Sequence, residues 1–74
     1  MDNDYDEKVA ANVKAAIEDT DRSVHGTAKE SGIAYTTLDR KLKGLAPFNV
    51  SELRRLSKVT GRPVVSFFPV EVAA

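Results

Sequence analysis

The sequence predicts an all-α fold, a compact domain of four to five helices that spans residues 1–74. Two observations support this fold class. Apolar residues recur three and four positions apart through most of the chain, the spacing that places side chains on one face of a helix. Residues that favour helix starts alternate along the chain with glycines that favour helix ends, and together they divide it into short segments. A domain of this size buries only about 60% of its unfolded surface, so we expect marginal stability.

The first helix is predicted from about Tyr5 to Asp19. Asp4 is followed three residues later by Glu7, a pair typical of a capping box at a helix start. Apolar residues at helical spacing form the predicted core face: Tyr5, Val9, Val13, Ala16 and Ile17. This helix precedes the more informative central part of the chain.

Two shorter helices follow. Ser23 is a favourable N-cap for a helix over residues 24–31, and Gly32 ends it because glycine readily adopts a positive φ. The next helix is predicted from about Tyr35 to Lys43, and it stops at Gly44. Ala34 stands at its N-cap position and cannot cap the helix with its side chain, so we expect some helical stability to be lost there.

The fourth helix begins after Asn49 as N-cap, with Glu52 in the position that completes a capping box. Its predicted apolar stripe consists of Val50, Leu53, Leu56 and Val59, and Gly61 ends it. A short final turn opens at Arg62-Pro63 and continues through Phe68, where Pro69 stops it. Residues 70–72 alternate as a short strand would.

The central pair of helices has the pattern of a helix-turn-helix. Ala28 is small, so it lets the helix over residues 35–43 approach the helix over residues 24–31 closely, and the chain turns between them at Gly32. Three hydrophobic residues anchor the later helix to the core: Ile33, Leu38 and Leu42. The opposite face of that helix is polar and basic and stays in solvent: Tyr35, Thr36, Arg40 and Lys43. This arrangement fits the major groove of DNA.

The charges are strongly segregated although the net charge is zero. Residues 1–21 contain seven acids and two bases, whereas residues 22–62 contain nine bases and three acids. A basic region on an otherwise acidic surface is what a DNA footprint looks like, and two ordinary solvated faces are the alternative reading. With the helix-turn-helix spacing beside it, the segregation favours a partner that is double-stranded DNA.

Several other classes of protein are disfavoured. The chain has no cysteine and one histidine, His25, so we expect neither a metal site nor a cofactor. It has no histidine–carboxylate constellation and no phosphate-cradling glycine loop, so we expect no enzyme and no small-molecule substrate. No apolar run approaches the roughly 20 residues of a membrane span, and the acidic N-terminus is no signal peptide. We therefore expect a cytoplasmic protein.

From Ala28 the chain carries the motif Ala-x3-Gly-Ile-x4-Leu-x3-Leu-x-Gly. One helix precedes the motif, and a loop containing Pro-Phe and then a helix capped by Asn49 follow it. This pattern resembles the phage lambda repressor and Cro superfamily over about residues 5–68. The chain departs from the family at two positions. Ala34 replaces the usual serine or other capping residue. Lys41 stands where an apolar residue is common, and it either loosens the packing of the helix or adds a phosphate contact.

The resemblance implies roles for residues of the helix-turn-helix. Base edges are expected to be contacted by Tyr35, Thr36 and Arg40, and phosphates by Ser23, Thr37, Lys41 and Lys43. Arginine makes the commonest base-specific contact with DNA, because its guanidinium group can donate two hydrogen bonds at once, to O6 and N7 of guanine. Two alternatives remain open: Tyr35 could merely cover the protein surface, and Arg40 could pair with a neighbouring acid such as Asp39 or Glu30.

The resemblance also implies a function: a sequence-specific transcriptional regulator, like a phage repressor or Cro, that binds a palindromic operator in a bacterial host cell. It implies a weak homodimer stabilised on the operator. The apolar C-terminal run supplies the predicted dimer interface: Phe67, Phe68, Val70 and Val72. Of the two adjacent phenylalanines, only one is expected to be exposed and to take part in it. The alternative function is an antitoxin-like or adaptor module, whose acidic N-terminal helix binds a partner protein.

Overall fold

The computed structural model describes residues 2–69, with side chains from residue 4 onward. Four α-helices and one short 3-10 helix follow one another: α1 (Asp2–Asp19), α2 (Val24–Ser31), α3 (Tyr35–Leu42), α4 (Val50–Thr60) and the 3-10 helix (Val64–Phe67). The described residues contain no β-strand, which confirms the all-α class; the strand-like alternation predicted over residues 70–72 lies outside them. Within residues 2–69, no helix combines the length and the apolar character needed to cross a membrane.

The first helix begins earlier than the sequence predicted. α1 starts at Asp2, so Asp4 lies inside the helix and the predicted capping box of Asp4 and Glu7 is wrong. Asp4 instead forms an exposed ion pair with Lys8, one turn further along, at 3.5 Å. The predicted core face is correct for Val9, Val13, Ala16 and Ile17, which are buried, whereas Tyr5 is 41% exposed.

The boundaries of α2 are confirmed, because strong local signals set both of its ends. The Ser23 hydroxyl oxygen accepts a hydrogen bond from the Gly26 N–H at 2.9 Å. Gly32 ends the helix at φ 75°, and its N–H donates to the Ala28 carbonyl. α3 then starts without a side-chain cap at Ala34, as predicted, and it ends one residue earlier than predicted, at Leu42.

The capping box of α4 is also confirmed. The Asn49 side chain accepts from the Glu52 N–H at 2.8 Å, and the Glu52 carboxylate accepts from the Asn49 N–H at 3.0 Å. Gly61 ends the helix at φ 77°. The prediction that Val50 belongs to the apolar stripe is wrong, because this first residue of the helix points into solvent and is 67% exposed.

The core is built by α1, which packs against α3, α4 and the 3-10 helix, while α2 packs against α3 and α4. Its largest apolar side chains are at most 2% exposed: Phe67, Ile17, Leu38, Leu56 and Val13. The Asn12 amide fixes the 3-10 helix by donating to the Phe67 carbonyl at 3.0 Å. The prediction of Phe67 at a dimer interface is wrong, because its ring fills the core; Phe68, at 36%, is the exposed member of the pair.

The link after α3 passes so close to α1 that only glycine fits. Gly44 has φ 78°, and a Cβ atom built there would lie 2.9 Å from Cγ of Glu7. Gly61 has nearly the same φ, but nothing lies within 4 Å of its Cβ position. Comparing substitutions at the two glycines therefore distinguishes the cost of backbone strain from the cost of a steric contact.

Gly44→Ala should lower the free energy of unfolding by about 2–3 kcal/mol, and Gly61→Ala by only about 1 kcal/mol, because the second substitution adds strain without a clash. Urea denaturation followed by circular dichroism measures both. Equal losses in the two variants would contradict the close approach of α1 to Gly44.

Candidate nucleic-acid interface

The outward face of α3 carries two of the three predicted base-contacting residues. Tyr35, Thr36 and Arg40 are all exposed, whereas Leu38 of the same helix is fully buried. Because residues four apart share a face of a helix, Thr36 and Arg40 lie together on the side away from Leu38. Tyr35, the first residue of the helix, lies at the edge of that face, three positions from Leu38.

Arg40 is available for contacts outside the protein. The acids expected to compete for it have other partners: Asp39 pairs with Lys43 at 3.0 Å, and Glu30 pairs with Arg22 at 3.2 Å. In the described part of the chain, no acid lies within ion-pair distance of Arg40. The alternative reading, in which Arg40 is neutralised by Asp39 or Glu30, therefore loses its support.

Tyr35 is held by a contact that sequence reasoning missed. Its ring stacks on that of His25, with centroids 3.8 Å apart and planes 9° from parallel. His25 is the second residue of α2 and Tyr35 the first of α3, so the turn at Gly32 brings together two rings that lie ten positions apart. The stack restrains Tyr35, and 38% of the residue remains exposed.

The predicted phosphate contacts have different surroundings. Ser23 caps α2 as an acceptor, so its own O–H donor remains for another partner. Thr37 is half-buried. The hydrogen bond that Lys43 donates to Asp39, together with the charge of Asp39, raises the pKa of Lys43. Since exposed ion pairs are weak, a phosphate can displace Asp39 from Lys43.

Lys41 does not belong to the exposed face, and in this arrangement it pairs with an acid of the protein and is not offered to a phosphate. Its ammonium nitrogen lies 2.6 and 2.8 Å from the two carboxylate oxygens of Glu52. The side chains of Lys41 and Glu52 are only 15% and 12% exposed. Lys41 therefore points towards α4, where it neutralises a carboxylate that is itself largely withdrawn from water.

The Glu52 carboxylate is stabilised in its charged form. Burial raises its pKa, but hydrogen bonds from Lys41 and the Asn49 N–H, together with the charges of Lys41 and Arg55, outweigh burial, and the net effect lowers the pKa. Because folding lowers this pKa, the ionised Glu52 carboxylate stabilises the fold at pH values above the ordinary titration range of a glutamate. That stabilisation is lost as the pH falls through the lowered pKa.

A second basic surface lies on α4. Val50, Ser51, Arg54, Arg55 and Lys58 line an open groove there. Among the described residues, none of these three bases is in an ion pair. The sequence could have indicated this face, because Val50, Arg54 and Lys58 follow one another at four-residue spacing.

The described residues contain no group of three or more acidic or histidine side chains placed to hold a metal ion. No family model matches the chain, and neither the curated proteins nor the solved structures contain a match.

Proposed function

We propose that this chain is a sequence-specific DNA-binding transcriptional regulator of the lambda repressor and Cro type, with α2 and α3 as its helix-turn-helix. The observation that carries the proposal is the outward face of α3. It presents Thr36 and Arg40 together, with Tyr35 exposed at the start of the helix, while buried Leu38 fixes the helix from behind. These three side chains can hydrogen-bond to base edges, and Arg40 can do so as a bidentate donor to guanine.

The charge distribution supports the same proposal. The bases concentrate on α3 and α4, whereas residues 1–21 carry seven of the eleven acids of the chain. A negatively charged duplex is attracted to the first surface and repelled by the second, so the field orients the protein as it approaches DNA. Phosphates would then be contacted by Ser23, Thr37 and Lys43, which flank the base-reading residues.

The proposed mechanism is occlusion of an operator in the cytoplasm of a bacterial host. One α3 helix reads only a few base pairs, which discriminates poorly against a genome. A two-fold dimer on a palindrome doubles the contacts, with half-sites about one helical turn apart.

Two apolar surfaces are available for this dimer. Val65 and Phe68, in and just after the 3-10 helix, are 72% and 36% exposed; the predicted interface residues Val70 and Val72 lie outside the described residues. Leu45 and Val50, both 67% exposed, flank the link between α3 and α4. We propose the surface of Phe68 as the interface, and the second surface is its competitor.

The alternative function, an antitoxin-like or adaptor module, draws on the acids of α1. Asp4, Glu7 and Glu18 are exposed there and suit a basic partner protein. Binding to duplex DNA discriminates between the two functions, because a module that uses only α1 has no need of it.

The wild-type protein should enrich one palindromic sequence from a pool of random duplexes. Its affinity should also fall linearly on a plot of log K against log salt, because phosphate contacts release counterions. Fluorescence anisotropy with the selected duplex measures the salt dependence. Failure to enrich any sequence, together with no binding at low salt, would favour the adaptor function.

Arg40→Ala should weaken binding to the selected duplex by about 1–3 kcal/mol and relax the preference at one base pair of each half-site. Arg40→Lys is the matched control: it keeps the charge but lacks the fork, so nonspecific affinity should persist while discrimination is lost. Thr37→Ala should weaken all sequences alike. An Arg40→Ala variant that loses specific and nonspecific affinity by the same factor would rule out a base contact.

Phe68→Ser should convert cooperative occupancy of the palindrome into independent binding of half-sites, because Phe68 is 36% exposed and burial of that remainder contributes up to about 1 kcal/mol per subunit. Leu45→Ser is the matched variant on the competing surface. Titration of full and half-site duplexes compares them. Loss of cooperativity in Leu45→Ser alone would move the interface to the link between α3 and α4.

A further inference from the structure

The ion pair between Lys41 and Glu52 occupies a distinctive position in the fold. α3 packs mainly on α1 and α2, whereas α4 packs on α1, α2 and the 3-10 helix. The ion pair joins α3 directly to the first turn of α4, two helices whose backbones come close at few places. It therefore links the helix with the candidate reading face to a helix that it otherwise touches little.

We propose that Lys41 and Glu52 are positioning residues, which fix the orientation of α3 relative to α4 and so determine how sharply the outward face of α3 discriminates DNA sequences. The part that concerns DNA rests on the function proposed above. The part that concerns the orientation of α3 does not, and it can be tested in the free protein.

The geometry of the pair is suited to positioning. The Lys41 ammonium contacts both carboxylate oxygens, at 2.6 and 2.8 Å, and both side chains are largely removed from water. Glu52 is itself held at 3.0 Å by the Asn49 N–H, so its carboxylate is fixed to the start of α4. Apolar contacts tolerate sliding, whereas a partly buried ion pair becomes costly as soon as its distances lengthen.

α3 needs such a link because its own local signals are weak. It has only eight residues, and Ala34 gives it no side-chain cap. Isolated helices of this length are unstable in water, so tertiary contacts must hold α3 in place. Leu38 is its one fully buried residue, and Leu42, in its last turn, is only partly buried against the core. The stack of Tyr35 on His25 restrains the start of the helix, and Lys41 restrains its last turn.

The decisive variant is Lys41→Met combined with Glu52→Gln. It removes both charges, while glutamine keeps an oxygen that can accept from the Asn49 N–H. Replacement of a buried ion pair by uncharged groups commonly preserves or raises stability, because no unpaired charge is left behind. Stability and orientation are therefore separated: the double variant should remain folded but lose the directional link between α3 and α4.

The first measurement compares affinity for the selected duplex with affinity for random duplex, at a temperature where circular dichroism shows all proteins folded. The ratio should fall roughly tenfold in the double variant, equivalent to the loss of about one base contact. Asp4→Asn is the control, since it removes one carboxylate charge from an exposed ion pair on α1 and should leave the ratio within about twofold. An unchanged ratio in the double variant would overturn the proposal.

The second measurement is amide hydrogen exchange of the free protein. In the double variant, α3 should exchange several-fold faster, while α1 and α2 keep their wild-type protection. If the wild type selects no DNA sequence, the proposed function fails, and exchange alone decides whether the pair positions α3; unchanged protection of α3 then overturns the inference. If this double variant does not fold, Lys41→Leu combined with Glu52→Gln, which also leaves no unpaired charge, replaces it in both measurements.

Discussion

The burial of Leu38 is the contact on which the candidate interface depends. Leu38 is fully buried in a helix whose other side is polar, and its place in the core determines which residues of α3 face solvent. The buried side chains of Val13, Ile17, Leu56 and Phe67 complete the core that receives it. A shift of α3 by one residue would rotate its polar and apolar faces by about 100° relative to the core, so the core contact and the exposed face are two results of one constraint.

Several bases of the central region hold the fold together and are unavailable for a ligand in that arrangement. Arg22 joins the start of α2 to the end of α4, by pairing with Glu30 and donating to the Val59 carbonyl at 3.0 Å. Arg62 pairs with Asp19 of α1, and Lys41 with Glu52. The formal charge of a segment therefore overstates the cations it can offer to DNA, and Arg40 matters because it is one that no described acid neutralises.

Local signals predicted the helices well. α2 and α4 were placed correctly because Ser23, Asn49 and the glycines that follow each helix act within a few residues. The start of α1 was misplaced because Asp4 and Glu7 are equally compatible with a helix interior, where Asp4 pairs with Lys8. A capping pattern predicts a helix start reliably only where the preceding residues are unable to continue the helix.

The candidate site was predictable in its exposed face but not in its supporting contacts. Helical spacing places Thr36 and Arg40 together, and Tyr35 is exposed at the start of the same helix. The partners of Tyr35 and Lys41 could not be read from spacing, because they lie ten and eleven positions away and on other helices. Phe67 and Phe68 show the same limit: adjacent residues in a short turn cannot both face the core, and only tertiary packing selects Phe67.

The double use of Glu52 has a consequence for how the domain unfolds. One carboxylate closes the capping box at the start of α4 and receives the ammonium of α3. Lys41 holds the carboxylate where the Asn49 N–H needs it, and the capping box in turn presents it to Lys41. Formation of the first turn of α4 and docking of α3 therefore favour each other. The two helices behave as one cooperative unit, in which fraying at the start of α4 also loosens α3.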